Sequence, residues 1–278
     1  MTQHHEDVSS VEVGWFLPTS GDGAFIGLSP ERAPTLDYLT QVAQAAEDAG
    51  FTFALIPTGN ICTDAWLVGA AVAARTQRLK PLVAMRPGLI APVLAARMAD
   101  VYLMWAEPLD WIRTQIQEVE FYRAEQKRYE GIDRKIRYGL RAQVVVRERE
   151  EDAWEAAHRM ISRVSPDLLE LAKVKVQQTD ATNQKRQNEL WRQSQERDFV
   201  IGPNLWAGLT AVRGGGAVAV VGTPEQVADR LLEFVDIGIS SFVLSGYPHL
   251  EEATRFGELV LPRLREKLAQ RQTAAPVV

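Results

Sequence analysis

Short apolar runs alternate along the chain with longer stretches whose apolar positions recur every three or four residues, the pattern of parallel strands each followed by a covering helix. Val11 to Leu17, Phe51 to Ile56, Leu79 to Met85, Val101 to Trp105, Ile136 to Val146 and Phe242 to Ser245 read as strands. After the first, Leu36, Leu39, Val42, Ala43 and Ala46 fall on one helical face, which Gly50 closes. An alanine-rich helix runs to Arg75, a short one spans Ala91 to Ala99, a charged one lies near Pro108 to Tyr129, and another covers Glu150 to Ser162. Thr223, Pro224 and Gln226 have the spacing of a capping box with proline at the first helical position. Val227, Leu231, Phe234 and Val235 make the buried stripe beneath it, and Gly238 ends that helix.

This order predicts an α/β fold of the TIM-barrel (β/α)8 type, with six strands where a closed barrel of this type has eight. One joint is abrupt: the helix ending at Ala99 meets the strand starting at Val101, whereas such connections usually take about 2 to 6 residues. Residues 163–203 are rich in Gln, Arg and Asn with no clean period, and read as an excursion outside the barrel. Residues 1–10 and 271–278 read as flexible tails, leaving residues 1–278 as a single barrel domain.

Composition narrows the function. With 278 residues, 46% of them hydrophobic, the chain can bury a full core. A net charge of -5 offers no basic field for nucleic acid and no polybasic membrane patch, which favours a small-molecule substrate. The polar N-terminus MTQHHEDVSS has no apolar signal region, and no apolar run approaches the roughly 20 residues of a membrane span. A cytoplasmic protein is expected. The single cysteine, Cys62, has no internal disulfide partner, and the four histidines show no metal-ligand spacing.

Active sites of such barrels sit on loops after the strand C-termini, which selects the candidates. Tyr247 and His249 follow the last strand, and Arg213, followed by Gly214, Gly215 and Gly216, sits on a glycine-hinged loop. Tyr247 can donate a proton or hydrogen bond, and His249 either handles protons or caps the helix after it. Trp105 ends a strand just before Glu107. Arg141 lies inside a strand, where a buried guanidinium needs an anionic partner, either a ligand or a protein carboxylate. Cys62 lies in a strand-end loop, as a small buried hydrophobe or as a reactive group. The run of three glycines lacks the spacing of a dinucleotide fingerprint.

Four ordered blocks, VGWFLPTSGDG, ALIPTGNICTDAWLVGAAVAARTQRLKPLVAMRPG, DVYLMWAEP and the run from Asn204 to Glu252, resemble the FMNH2-dependent alkanesulfonate monooxygenases of the bacterial luciferase-like flavin monooxygenase superfamily. The resemblance implies an enzyme of sulfur metabolism that takes reduced FMN from a separate NAD(P)H-dependent FMN reductase. It would use oxygen to cleave the carbon-sulfur bond of an alkanesulfonate to aldehyde and sulfite. It also implies a homo-oligomer. By position it places Arg213 on a loop closing over the substrate, Arg141, Trp105 and Tyr247 around the sulfonate with Gln143 and Ser20, and Cys62 and Tyr247 near the flavin, with Arg213, Tyr247, Cys62 and His249 as the catalytic candidates. Two arginines suit a sulfonate, a compact permanent anion with three acceptor oxygens.

The departures from the family pattern are specific. Ser20 in PTSGD and Gln143 stand where the family shows histidines, so two proton-handling groups are replaced by hydrogen-bonding ones. At Ala99 and Asp100 two βα units, the fourth and fifth, are absent, and these help to hold the flavin in the family. The barrel would then close with six strands, stay open with exposed edges, or be completed by a second chain. The alternative function is a non-catalytic shortened remnant that binds flavin or an organic anion, or self-associates.

Overall fold

The computed structural model describes residues 11–59, 61–84, 91–167 and 182–274. In chain order its elements begin with β1 (Glu12–Phe16), α1 (Leu36–Ala49), β2 (Phe53–Ile56), α2 (Ala65–Ala73), β3 (Lys80–Val83) and α3 (Ala91–Met98). Next come β4 (Val101–Trp105), α4 (Leu109–Glu130), β5 (Arg137–Val146), α5 (Glu150–Ile161) and α6 (Thr182–Ser194). Three short strands follow, β6 (Val200–Gly202), β7 (Leu205–Trp206) and β8 (Ala219–Gly222), and then α7 (Pro224–Asp236), β9 (Ile239–Ser245), α8 (His249–Leu259) and α9 (Leu261–Ala274).

The six strands expected from the hydrophobic pattern form one parallel path, β3-β2-β1-β9-β5-β4. The fold is of the TIM-barrel type, and among the described residues the sheet is open between β3 and β4. The sequence pattern missed β6, β7 and β8. The antiparallel pair β6 and β7 joins the sheet through β8, which runs parallel to the C-terminal half of β5. At two to four residues each, they are too short to show a period. Met85, expected in the third strand, lies outside the described residues, and residues 271–274 form the last turn of α9.

Local signals hold. Thr35 caps α1 by accepting from the Tyr38 amide at 3.2 Å, and Gly50 ends it at φ 91°, a conformation that favours glycine. The capping box of α7 is present in both directions, Gln226 N–H to Thr223 Oγ1 at 3.3 Å and Thr223 N–H to Gln226 Oε1 at 2.9 Å. Only Ala99 and Asp100 separate α3 from β4. The joint is held by Arg137 N–H donating to the Asp100 carbonyl at 3.0 Å, and by an Arg97–Glu130 pair at 3.0 Å between α3 and α4.

Strand alternation separates two environments. Trp15, Ala54, Ile56, Leu140, Phe242 and Leu244 pack with Leu39, Val42 and Leu231 of the covering helices into the main core. The other face gathers Phe16, Phe53, Leu55, Leu103 and Val243 in a smaller cluster. There the Phe53 ring occupies the space over Gly14, where a Cβ would lie 2.2 Å from it. That inner face carries the polar side chains of the site. No helix among the described residues is long and apolar enough to cross a membrane.

Candidate active site

Arg141 and Gln143 are two residues apart on β5 and share its inner face. In register with them across β9 lie Val243 and Ser245, and Trp105 of β4 pairs with Arg141 on the other side. Arg141 is only 4% exposed. Its Nη2 donates to Ser245 Oγ at 2.7 Å, and Nη1 donates to the Ala142 and Val243 carbonyls at 2.5 and 3.4 Å. The Ser245 hydroxyl donates to Gln143 Oε1 at 2.5 Å, and Gln143 Nε2 donates to the Gly216 carbonyl at 3.2 Å. Every bond made by this guanidinium goes to a neutral oxygen, so the internal salt bridge open to it is not formed among the described residues. Burial, and then the charge of Arg213, pull its pKa down to about 9, against a smaller opposing effect of Tyr247.

The glycine loop closes over this wall. Arg213 is half-buried and donates to the Gly216 carbonyl at 3.3 Å. The Arg141 and Arg213 guanidinium carbons lie 4.4 and 5.8 Å from the Phe16 ring centroid, so one aromatic ring carries both cations. Arg213 also lies 5.9 Å from the Tyr247 ring. Gly215 adopts φ 89°, which favours glycine, and its N–H donates to Gln184 Oε1 of α6 at 2.9 Å. A Cβ on Gly216 would sit 2.9 Å from Arg141 Cγ and 3.1 Å from Trp105 Cδ1. The loop therefore approaches the wall as closely as a backbone without side chains allows.

The turn after β9 places Tyr247 beside His249, with ring centroids 4.8 Å apart in an edge arrangement. The His249 side chain does not cap α8, because it turns to a carboxylate instead. Its Nδ1 lies 2.8 Å from Asp22 Oδ1, and its backbone N–H donates to Asp22 Oδ2 at 2.7 Å. Asp22 Oδ2 also accepts from the Tyr38 hydroxyl at 2.5 Å, whose oxygen accepts from Arg32 at 3.1 Å. Burial pushes the Asp22 carboxyl upward, but the bonds from His249 and Tyr38 outweigh it and hold the group below its ordinary range. Burial lowers the His249 pKa, and the charges of Arg141 and Arg213 push it the same way against Asp22.

A cleft of about 340 Å³ opens beside this wall, lined by Phe16, Ser20, Pro57, Gly59, Ile61, Cys62 and Arg213. Ser20 is exposed, and Cys62 is half-buried with a free thiol. The expected residues thus fall into two groups joined by Phe16. Ser20, Cys62 and Arg213 border the cleft, and Trp105, Arg141, Gln143, Tyr247 and His249 gather around the arginine pair. Sequence reasoning missed Phe16, Asp22 and Ser245. For Ser245 a signal existed, since its place at the C-terminal end of a strand marks a site position. Nothing in the sequence couples Asp22 to a histidine 227 residues later.

Against this geometry, the sequence profile of the luciferase-like monooxygenase family matches residues 11–99 and 93–241. The chain belongs to that family. The two matched stretches overlap within α3, at the abrupt joint noted above. Solved structures with the same fold include a riboflavin lyase holding modified FMN and riboflavin, at 15% identity and TM-score 0.67 over 93% of this chain and 92% of that one. A long-chain alkane monooxygenase matches at 14% identity and TM-score 0.65, over 94% and 92% of the two chains. An EDTA monooxygenase from Chelativorans sp. BNC1 matches at 12% and 0.63, over 93% and 94%. At these identities the likeness is one of fold.

Proposed function

We propose that this protein is a reduced-FMN-dependent monooxygenase that cleaves the carbon-sulfur bond of alkanesulfonates, supplied with reduced flavin by a separate NAD(P)H-dependent reductase. The observation that carries the reading is Arg141, a buried cation with no carboxylate partner among the described residues, next to a second arginine on a glycine loop. A buried charge is costly unless paired, and a compact anion between the two guanidiniums supplies the pairing. The cleft suits a flavin ring: Phe16, Pro57 and Ile61 offer apolar surface, and Ser20, Cys62 and Arg213 offer polar contacts. Bound reduced FMN supplies the electrons that activate oxygen. Around it Arg141 and Arg213 hold the anion, Trp105 and Phe16 exclude water, and Tyr247 offers a phenolic proton beside Arg213.

The test supplies reduced FMN, oxygen and a series of alkanesulfonates, and measures sulfite. A folded sample that releases none, while a full-length relative assayed alongside does, overturns the reading. The open sheet between β3 and β4, with Trp66 and Leu67 of α2 68% and 72% exposed, favours a second reading. On that reading the chain is a shortened, non-catalytic remnant that binds flavin or an anion, or self-associates. Sulfite release separates the two, and fluorescence titration with reduced and oxidised FMN narrows the second, because tight binding of reduced FMN counts against a remnant that only self-associates.

A further inference from the structure

We infer that Asp22 is a positioning residue that fixes His249 in its Nδ1–H form, so that Nε2 stands as the proton acceptor of the arginine-paired site. The role in turnover rests on the monooxygenase reading above, whereas the tautomer does not. Asp22 is 2% exposed and receives four hydrogen bonds: the Gly23 amide at 2.8 Å, the His249 amide at 2.7 Å, the Tyr38 hydroxyl at 2.5 Å and the His249 ring at 2.8 Å. A carboxylate that accepts from two amides and a phenol is ionised and has no proton to give. In the Asp22–His249 contact the imidazole must therefore be the donor, through Nδ1. In a neutral ring Nε2 then carries the lone pair.

The ring is kept neutral by its surroundings. His249 is 1% exposed, and the charged groups acting on it are Asp22 from the loop after β1, Arg141 from β5 and Arg213 from the glycine loop. Phe16 and Tyr247 pack against it at 5.8 and 4.8 Å between ring centroids. Arg32, paired with Glu251, donates to the Tyr38 hydroxyl, which in turn donates to Asp22. Nε2 is buried and, among the described residues, has no hydrogen-bond partner. Unpaired buried acceptors are uncommon and cost free energy, so this nitrogen is set to receive an N–H or O–H from what binds beside the arginines. When it takes a proton, the donor's O–H or N–H bond breaks and an Nε2–H bond forms. The positive charge gained by the ring is met by the ionised Asp22, as in an Asp-His pair of hydrolytic triads.

Nitrogen NMR of the ring in protein labelled at histidine reads the tautomer directly, without turnover, with His249→Gln assigning the signal. The expected result is a protonated Nδ1 and an unprotonated Nε2 near neutral pH. Asp22→Asn, which places an amide where the carboxylate was, should mix or reverse the tautomers. It should also lower kcat for sulfite release by roughly 10²- to 10⁴-fold with KM little changed. Protonated Nε2 in the wild-type protein overturns the inference, whatever the activity. So does an Asp22→Asn protein with unchanged tautomer and kcat. If that variant does not fold, the wild-type tautomer alone decides. A protein with the expected tautomer but no sulfite release leaves the Asp22–His249 geometry standing and removes the monooxygenase reading.

Discussion

Replacing Arg141 with methionine should make the ligand-free protein more stable and at the same time abolish its response to sulfonates. The guanidinium pKa is pulled down to about 9, far below the ordinary arginine range. At about 1.4 kcal/mol per tenfold, keeping that charge in the closed wall costs roughly 5 kcal/mol. Methionine recovers much of this but strips donors from the Ala142 and Val243 carbonyls, at roughly 1 to 3 kcal/mol for an unpaired buried group. Ser245 keeps its bond to Gln143. Taken at about 1 kcal/mol for each of the two carbonyls, the net expectation is a gain of up to about 3 kcal/mol, or up to roughly 6 to 12 °C in Tm. A sulfonate at about 100 times its Kd should add about 2.7 kcal/mol to the wild-type protein and nothing to the variant. Thermal melts with and without ethanesulfonate measure both effects. A variant that melts lower than wild type, or that sulfonate still stabilises, refutes the claim that Arg141 is an unpaired charge awaiting an anion.

Three further outcomes follow from the same structure. His249 is held neutral, so below about pH 6.5 the unfolded chain binds a proton that the folded one refuses. Stability then falls as pH drops, by up to about 1.4 kcal/mol per pH unit, with Asp22 adding a loss of the same sign at lower pH. Denaturant midpoints between pH 7.5 and 5 should show this slope, and His249→Gln should flatten it. Glu107 is fully buried, and burial raises its pKa despite a pairing with Arg186 at 3.0 Å. Arg186→Met should cost roughly 3 kcal/mol, and adding Glu107→Gln should restore most of it, as read by urea unfolding. Gly216→Ala would drive a Cβ toward Arg141 and Trp105. It should weaken sulfonate binding roughly tenfold or more by calorimetry, with melting changed by at most about 1 to 3 kcal/mol.

The buried glutamines of α6 show where reading from sequence stops. Residues 163–203 gave no apolar period, yet α6 buries Gln184, Gln187, Leu190 and Ser194 along one side. Gln187 donates to the Ala106 carbonyl, Arg186 pairs with Glu107, and Gln184 holds the Gly215 amide. Helical spacing is present, but three of its four buried positions are polar, and hydrophobic patterning is blind to a face that is buried by hydrogen bonding.

By itself the sequence determined what depends on near neighbours and on alternation. The six parallel strands, the cap at Thr223, the abrupt joint at Ala99, and the placing of Arg141 within a strand and of Arg213 and Tyr247 on strand-end loops all follow from spacing. Only the tertiary structure decided what those residues meet. The β5–β9 register sets Arg141 and Gln143 against Ser245 rather than a carboxylate. The closing of the chain brings Asp22 to His249, and Phe16 gathers both guanidiniums. Whether a buried charge is paired, and which nitrogen of a histidine is free, depends on groups far away in the chain, and local spacing carries no information about them.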